Sequence, residues 1–146
     1  MSIKETYHAA QGLLARREHS QLELEQKLTR KDHELSDVLM VIERLKEQGF
    51  QSNQRYADSC FRSRANKGYG PNFIRQYLQQ RGISDSLAYE TEKNSDINWF
   101  DCIKKVWEKK YLGAPQDIKS TDKQKNFLYY RGFDARLISQ LFNDIK

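Results

Sequence analysis

The sequence predicts an all-α protein built as three tandem three-helix repeats that form an elongated, curved helical array. Three observations lead there. Apolar residues recur at helical spacing nearly throughout, with hardly any period-two alternation. A short pattern returns at intervals of fifty residues. Each copy is bounded by residues that start or stop helices.

The repeat is marked by Leu28, Leu78 and Leu128, and again by Lys31, Arg81 and Arg131. The run from Leu78 to Ile83 parallels the run from Leu128 to Phe133, while the first copy has Asp32 and His33 where the others have glycine and an apolar residue. The expected helices are 4–18, 20–31 and 35–48 in repeat 4–50; 53–67, 71–81 and 85–93 in repeat 51–94; and 97–111, 121–131 and 134–145 in repeat 95–146.

In the first repeat, Ser20 and Glu23 form a capping box, each side chain satisfying an orphan amide. The stripe Leu35, Val38, Leu39, Ile42, Leu45 then runs to Gly49. In the second, Gly68-Tyr69-Gly70 breaks a helix and Pro71 suits the first turn of the next. Gly82 stands where a helix end wants a left-handed residue, and Ser84 or Asp85 caps the third helix of that repeat. In the third, Phe100, Ile103, Trp107 and Tyr111 form a stripe, and 112–120 is the longest loop. Thr121 to Gln124 reads as a second capping box, Gly132 as a second left-handed stop and Asp134 as a cap. Leu137, Ile138, Leu141, Phe142 and Ile145 close the pattern. Each repeat is too small to be stable without a neighbour.

Hydrophobic residues make up 38% and charged residues 31%, so the core is thin; aromatics at 12% argue against disorder. Net charge is +5. Between 55 and 81 lie six bases, Arg55, Arg62, Arg64, Lys67, Arg75 and Arg81, against the single acid Asp58, a surplus equal to the whole net charge. Lys104, Lys105, Lys109 and Lys110 form a second cluster, expected on the helix face opposite Ile103 and Trp107. Arg16 and Arg17 are balanced by Glu18 and Glu23 and suit pairing between helices.

No apolar run suits export or membrane crossing. Cys60 and Cys102 lack a CxxC partner and read as reduced, buried thiols of a cytoplasmic protein. His8, His19 and His33 have no metal-ligand spacing, and His19 is expected at the surface. Of the pair Tyr129-Tyr130, one ring is expected in the core and one at the surface. No phosphate loop succeeds a strand and no nucleophile–base arrangement suggests a pocket, so neither enzyme activity, cofactor nor metal is expected.

Three segments stand in order along the chain. The first is Leu14-Ala15-Arg16-Arg17, Ser20, Glu23-Leu24 and Lys27-Leu28. The second is Ile42, Leu45, Gly49-Phe50, Arg55-Tyr56-Ala57, Gly68, Gly70-Pro71, Ile74, Leu78 and Gly82-Ile83. The third is Phe127-Leu128 with Arg131-Gly132-Phe133. In that order they resemble the opening, core and closing pieces of the RecX family of bacterial recombination regulators. Two departures are Ser52-Asn53 in place of an acidic pair and Asp32 in place of glycine.

The isolated protein is expected to be a monomer, and the resemblance implies a non-enzymatic regulator whose partner is RecA, as the RecA–single-stranded DNA filament. It would lie in the filament groove and lower RecA's ATPase, strand-exchange and coprotease activities. On that reading Arg55, Arg62, Arg64, Lys67, Arg75 and Arg81 face the filament or its phosphates, with Lys104, Lys105, Lys109 and Lys110 as a secondary basic patch and weak direct DNA contact. The alternative is a free-standing DNA binder of helix-turn-helix type, which would normally dimerise around one recognition helix.

Overall fold

The structure, a computed structural model, describes all 146 residues. It holds nine helices and no strand: α1 (Ile3–Arg16), α2 (Gln21–Arg30), α3 (Leu35–Glu47), α4 (Asn53–Asn66), α5 (Pro71–Gln80), α6 (Asp85–Asn94), α7 (Trp99–Lys110), α8 (Ile118–Tyr130) and α9 (Ala135–Asp144). They succeed one another as three groups of three, as the fifty-residue spacing predicts.

The turn after the second helix of each group is a shared device. The amides of His33, Ile83 and Phe133 donate to the carbonyls of Leu28, Leu78 and Leu128 at 3.1, 3.0 and 3.2 Å. This bond closes a Schellman turn, whose last-but-one residue is left-handed. Gly82 and Gly132 hold that place with φ of 80° and 101°. In the first copy Asp32 holds it at φ 67°, without glycine's freedom.

The chain divides into two compact units, Met1–Ser59 with Leu78–Ala88, and Cys60–Tyr77 with Tyr89–Lys146. The first buries Ala10, Leu24, Leu28, Val38, Ile42 and Leu45, with Tyr7, Leu13 and Leu14 packed on them. Several of its buried polar side chains pair with one another or with the chain. Thr6 Oγ1 lies 2.7 Å from His33 Nδ1, and Gln51 donates to Asn53 Oδ1 at 3.0 Å, which also accepts the Gln21 amide at 3.0 Å. Gly82 is also a close-packing point, since a Cβ there would lie 2.8 Å from Leu22 Cβ.

The second unit buries Ile103, Trp107, Leu128, Phe133, Ile138, Leu141 and Phe142. The Trp107 indole donates to Gln124 Oε1 at 2.8 Å. Backbone locks the turn before α5 onto the turn after α8. Gly70 N donates to Arg131 O at 2.7 Å and Asn72 N to Gly132 O at 3.0 Å. From that turn runs an aromatic ladder: Tyr69 stacks on Phe73 at 4.2 Å and Phe73 on Tyr77 at 6.5 Å between centroids. Guanidinium groups close both ends, Arg131 over Tyr69 at 4.9 Å and Arg64 over Tyr77 at 4.1 Å.

Several positions differ from the expectation. α8 starts at Ile118, not at residue 121, because Asp117 accepts the Ser120 amide at 2.7 Å and adds a turn; the Thr121 hydroxyl donates back to the Asp117 carbonyl instead of capping. α1 ends at Arg16, since Arg17 is extended and leads into the capping box. That box forms as expected, with both bonds at 3.1 Å. His19 is buried, at 1% exposure, and Cys102 only partly so. Tyr129 and Tyr130 both face solvent.

Candidate functional site

The six bases of 55–81 have different surroundings. Arg55 pairs with Glu18 at 3.2 Å and donates to the Phe50 carbonyl at 3.1 Å. Arg64, half-buried, donates to Tyr77 Oη at 2.7 Å and stacks on its ring. Arg75 pairs with Glu92, bonds Asn72 and lies over the Tyr89 ring at 4.6 Å. These three side chains are therefore partly committed inside the fold. Arg62 and Lys67 are exposed, and Arg81 is half-exposed.

Arg81 shares a cleft of about 330 Å³ in the first unit with Lys27 and Arg30, opposite Glu23. Behind it sits His19. Its Nδ1 lies 3.0 Å from the Arg17 carbonyl, which can only accept, so Nδ1 carries the proton and Nε2 accepts from Lys27 Nζ at 2.9 Å. Burial, with the Arg17 and Lys27 charges, holds the imidazole below its ordinary pKa and keeps it neutral. Burial also pushes the Lys27 ammonium down. Burial would raise the Glu23 carboxyl, but the Arg17 guanidinium at 3.0 Å and the Ser20 amide outweigh it and hold it low.

The second unit carries a stronger convergence of charge. Lys67 from the chain just past α4, Lys105, Lys109 and Lys110 from α7 and Arg131 after α8 line one cleft of about 420 Å³. No carboxylate lines it, and none of the five is ion-paired within the chain. Phe127 forms one wall, with Lys110 Nζ 4.3 Å and Arg131 Cζ 5.4 Å from its ring centroid. Gly68, at φ 91°, forms part of the lining; a Cβ there would lie 3.1 Å from Val106 and 3.8 Å from Arg131 Nη1. Cys102 also lines it, and burial pushes its thiol pKa up.

The α7 lysines therefore do not paint one face. Lys104 turns away to pair with Asp144 at 3.4 Å, while Lys105, Lys109 and Lys110 join Lys67. Arg131 reads in the sequence as a repeat marker and part of the closing motif, not as a member of a basic patch. Its place in the cleft becomes visible once α4, α7 and α8 are assembled. No group of three or more His, Cys, Asp or Glu side chains is placed to hold a metal ion. No helix is long and apolar enough to cross a membrane.

Family models match in the order of the helices: RecX first three-helix domain over 7–45, second over 52–91 and third over 96–142. The regulatory protein RecX of Pseudomonas entomophila is 38% identical over 135 residues, covering 92% of this chain and 87% of that protein. That of Legionella pneumophila is 35% identical over 145 residues, covering 99% and 97%. The crystal structure of RecX from Lactobacillus salivarius superposes with a TM-score of 0.81 at 23% identity, over 98% of this chain and 96% of that one, and shows the same fold. Matched by all three domain models in sequence and by full-length relatives, the chain belongs to the RecX family of regulatory proteins.

Proposed function

We propose that the chain is a non-catalytic cytoplasmic regulator that binds RecA–single-stranded DNA filaments and lowers RecA's ATPase, strand-exchange and coprotease activities. The observation that carries this reading is the ordered match of three RecX domains across residues 7–142. The exposed cations Arg62 and Lys67 are the members of the basic segment best placed to face the filament; Arg55, Arg64 and Arg75 serve it through the surfaces they brace. The unpaired lysines of α7 extend the positive surface.

The test is RecA's DNA-dependent ATPase with this protein added at rising ratios. Inhibition is expected at or below one molecule per RecA. A large excess that leaves ATPase, strand exchange and repressor autocleavage unchanged would reject the proposal. Dimerisation with tight, sequence-specific duplex binding would favour the helix-turn-helix alternative instead.

A further inference from the structure

We propose that the cleft formed by Lys67, Lys105, Lys109, Lys110 and Arg131 is a binding site for closely spaced phosphate groups, with Phe127 forming its apolar wall. It is a property of the isolated chain and does not depend on RecA.

Elsewhere in this protein several basic side chains find acids: Arg17 with Glu23, Arg55 with Glu18, Arg75 with Glu92, Lys104 with Asp144. Here five cations from three separate segments converge on one concavity with no acid in its lining. A solvated helix face needs no such convergence. Like charges gathered without counter-charge oppose folding, and a multivalent anion in the cleft relieves that repulsion.

The donors are also matched to phosphate. Arg131 offers a planar fork held in place by two rings, Tyr69 at 4.9 Å and Phe127 at 5.4 Å. Such a pre-set guanidinium suits two phosphate oxygens at once, and the lysines add mobile point charges around it. Five cations on three segments outnumber the charge of one phosphate, and two or three linked phosphates match them better. The volume of about 420 Å³ falls in the range of small-ligand sites. Phosphates of this density come from the chain of a nucleoside polyphosphate or from successive units of a single strand. Phe127 in the cleft wall offers either one a ring for stacking.

The experiment titrates sodium tripolyphosphate into the full-length chain by calorimetry, beside orthophosphate. Three proteins are compared: the parent, Lys105→Ala/Lys109→Ala, and the control Lys119→Ala/Lys123→Ala, which removes equal charge from exposed positions of α8 outside the cleft. Lys105 and Lys109 are exposed and unpaired, so their variant should keep the parent's helicity and melting temperature. Saturable tripolyphosphate binding is expected, tighter than orthophosphate. It should weaken on the order of tenfold or more in the cleft variant and little in the control.

ATP and a short oligothymidylate identify the source. Oligothymidylate binding that tripolyphosphate displaces and the cleft variant loses assigns the phosphates to a strand. ATP binding with the same sensitivity, beside an indifferent oligothymidylate, assigns them to a free nucleotide. No tripolyphosphate binding by the parent, or equal loss in the cleft and control variants, overturns the proposal.

Discussion

Gly70 and Gly132 are packed backbone to backbone. A Cβ on Gly70 would stand 2.5 Å from the Gly132 carbonyl carbon, and one on Gly132 would stand 2.4 Å from Phe73 Cβ. Neither neighbour is a flexible side-chain end, so an added methyl must push the two turns apart and strain the Gly70–Arg131 bond of 2.7 Å. Gly70→Ala and Gly132→Ala should each cost at least about 1–3 kcal/mol, Gly132→Ala more, because its φ of 101° is also lost to alanine. Gly12, inside α1 with open space around it, is the internal control. Gly12→Ala should stabilise by about 0.5–1 kcal/mol. Urea unfolding of the three variants checks the contrast, and a neutral Gly132→Ala would contradict it.

Asp32 occupies the left-handed place that glycine fills in the other two repeats. Asp32→Gly should therefore stabilise the protein by a few tenths to about 1 kcal/mol. The reciprocal change, Gly82→Asp, should destabilise, because its Cβ would meet Leu22 at 2.8 Å. Thermal midpoints of the pair measure both signs.

Stability should fall on acidification from neutral pH. His19 and Glu23 both have folded pKa values below their ordinary 6.5 and 4.5. For each, the unfolded chain binds more protons, so stability rises with pH. The His19 contribution is lost progressively as pH drops below 6.5, and that of Glu23 as pH drops below 4.5. Urea midpoints over this range should slope downward toward acid, and His19→Gln should flatten the upper part of the slope. A midpoint independent of pH between neutrality and 4.5 would show that the His19 shift does not exist.

Arg64→Ala removes a guanidinium that donates to Tyr77 at 2.7 Å and closes the aromatic ladder. The expected cost is about 1–2 kcal/mol. Arg62→Ala, on an exposed side chain, should leave stability within about 0.5 kcal/mol. Loss of RecA inhibition in the Arg62 variant would then report on binding, whereas loss in the Arg64 variant would mix binding with packing. Chemical denaturation of each variant beside the ATPase assay separates the two.

If Arg62 and Lys67 meet filament phosphates, removing both should lower the log–log salt slope of filament binding by up to ~0.9 for each contact. Contacts to RecA carboxylates would instead give a smaller, irregular change. Fluorescence anisotropy across a salt series reads the slope directly.

Local chemistry made much of this fold legible. Ser20 with Glu23, Pro71, Gly82, Gly132 and Asp134 each act through their near neighbours, and each performs the role its sequence context implies. The start of α8 was not legible, because Thr121 and Asp117 offer competing caps and only the assembled backbone selects Asp117. Charge was harder still. Arg55 and Arg75 look surplus within 55–81 because their partners Glu18 and Glu92 lie outside that window. The five-cation cleft joins positions 67, 105–110 and 131, a separation that no local pattern spans. His19 obeys the same logic: nothing beside it in sequence announces that Lys27 and the Gln51 amide, at 3.3 Å from its carbonyl, enclose it.

Both tryptophans of the chain, Trp99 and Trp107, lie in the second compact unit, one edge-on to Phe61 and the other bonded to Gln124. Indole emission therefore watches only half of the molecule, while far-ultraviolet ellipticity watches every helix. Tracking both through one denaturation turns the native sequence into its own cooperativity probe. Superimposed curves mean that the two units melt together, and an indole transition displaced from the ellipticity transition gives the order in which they come apart.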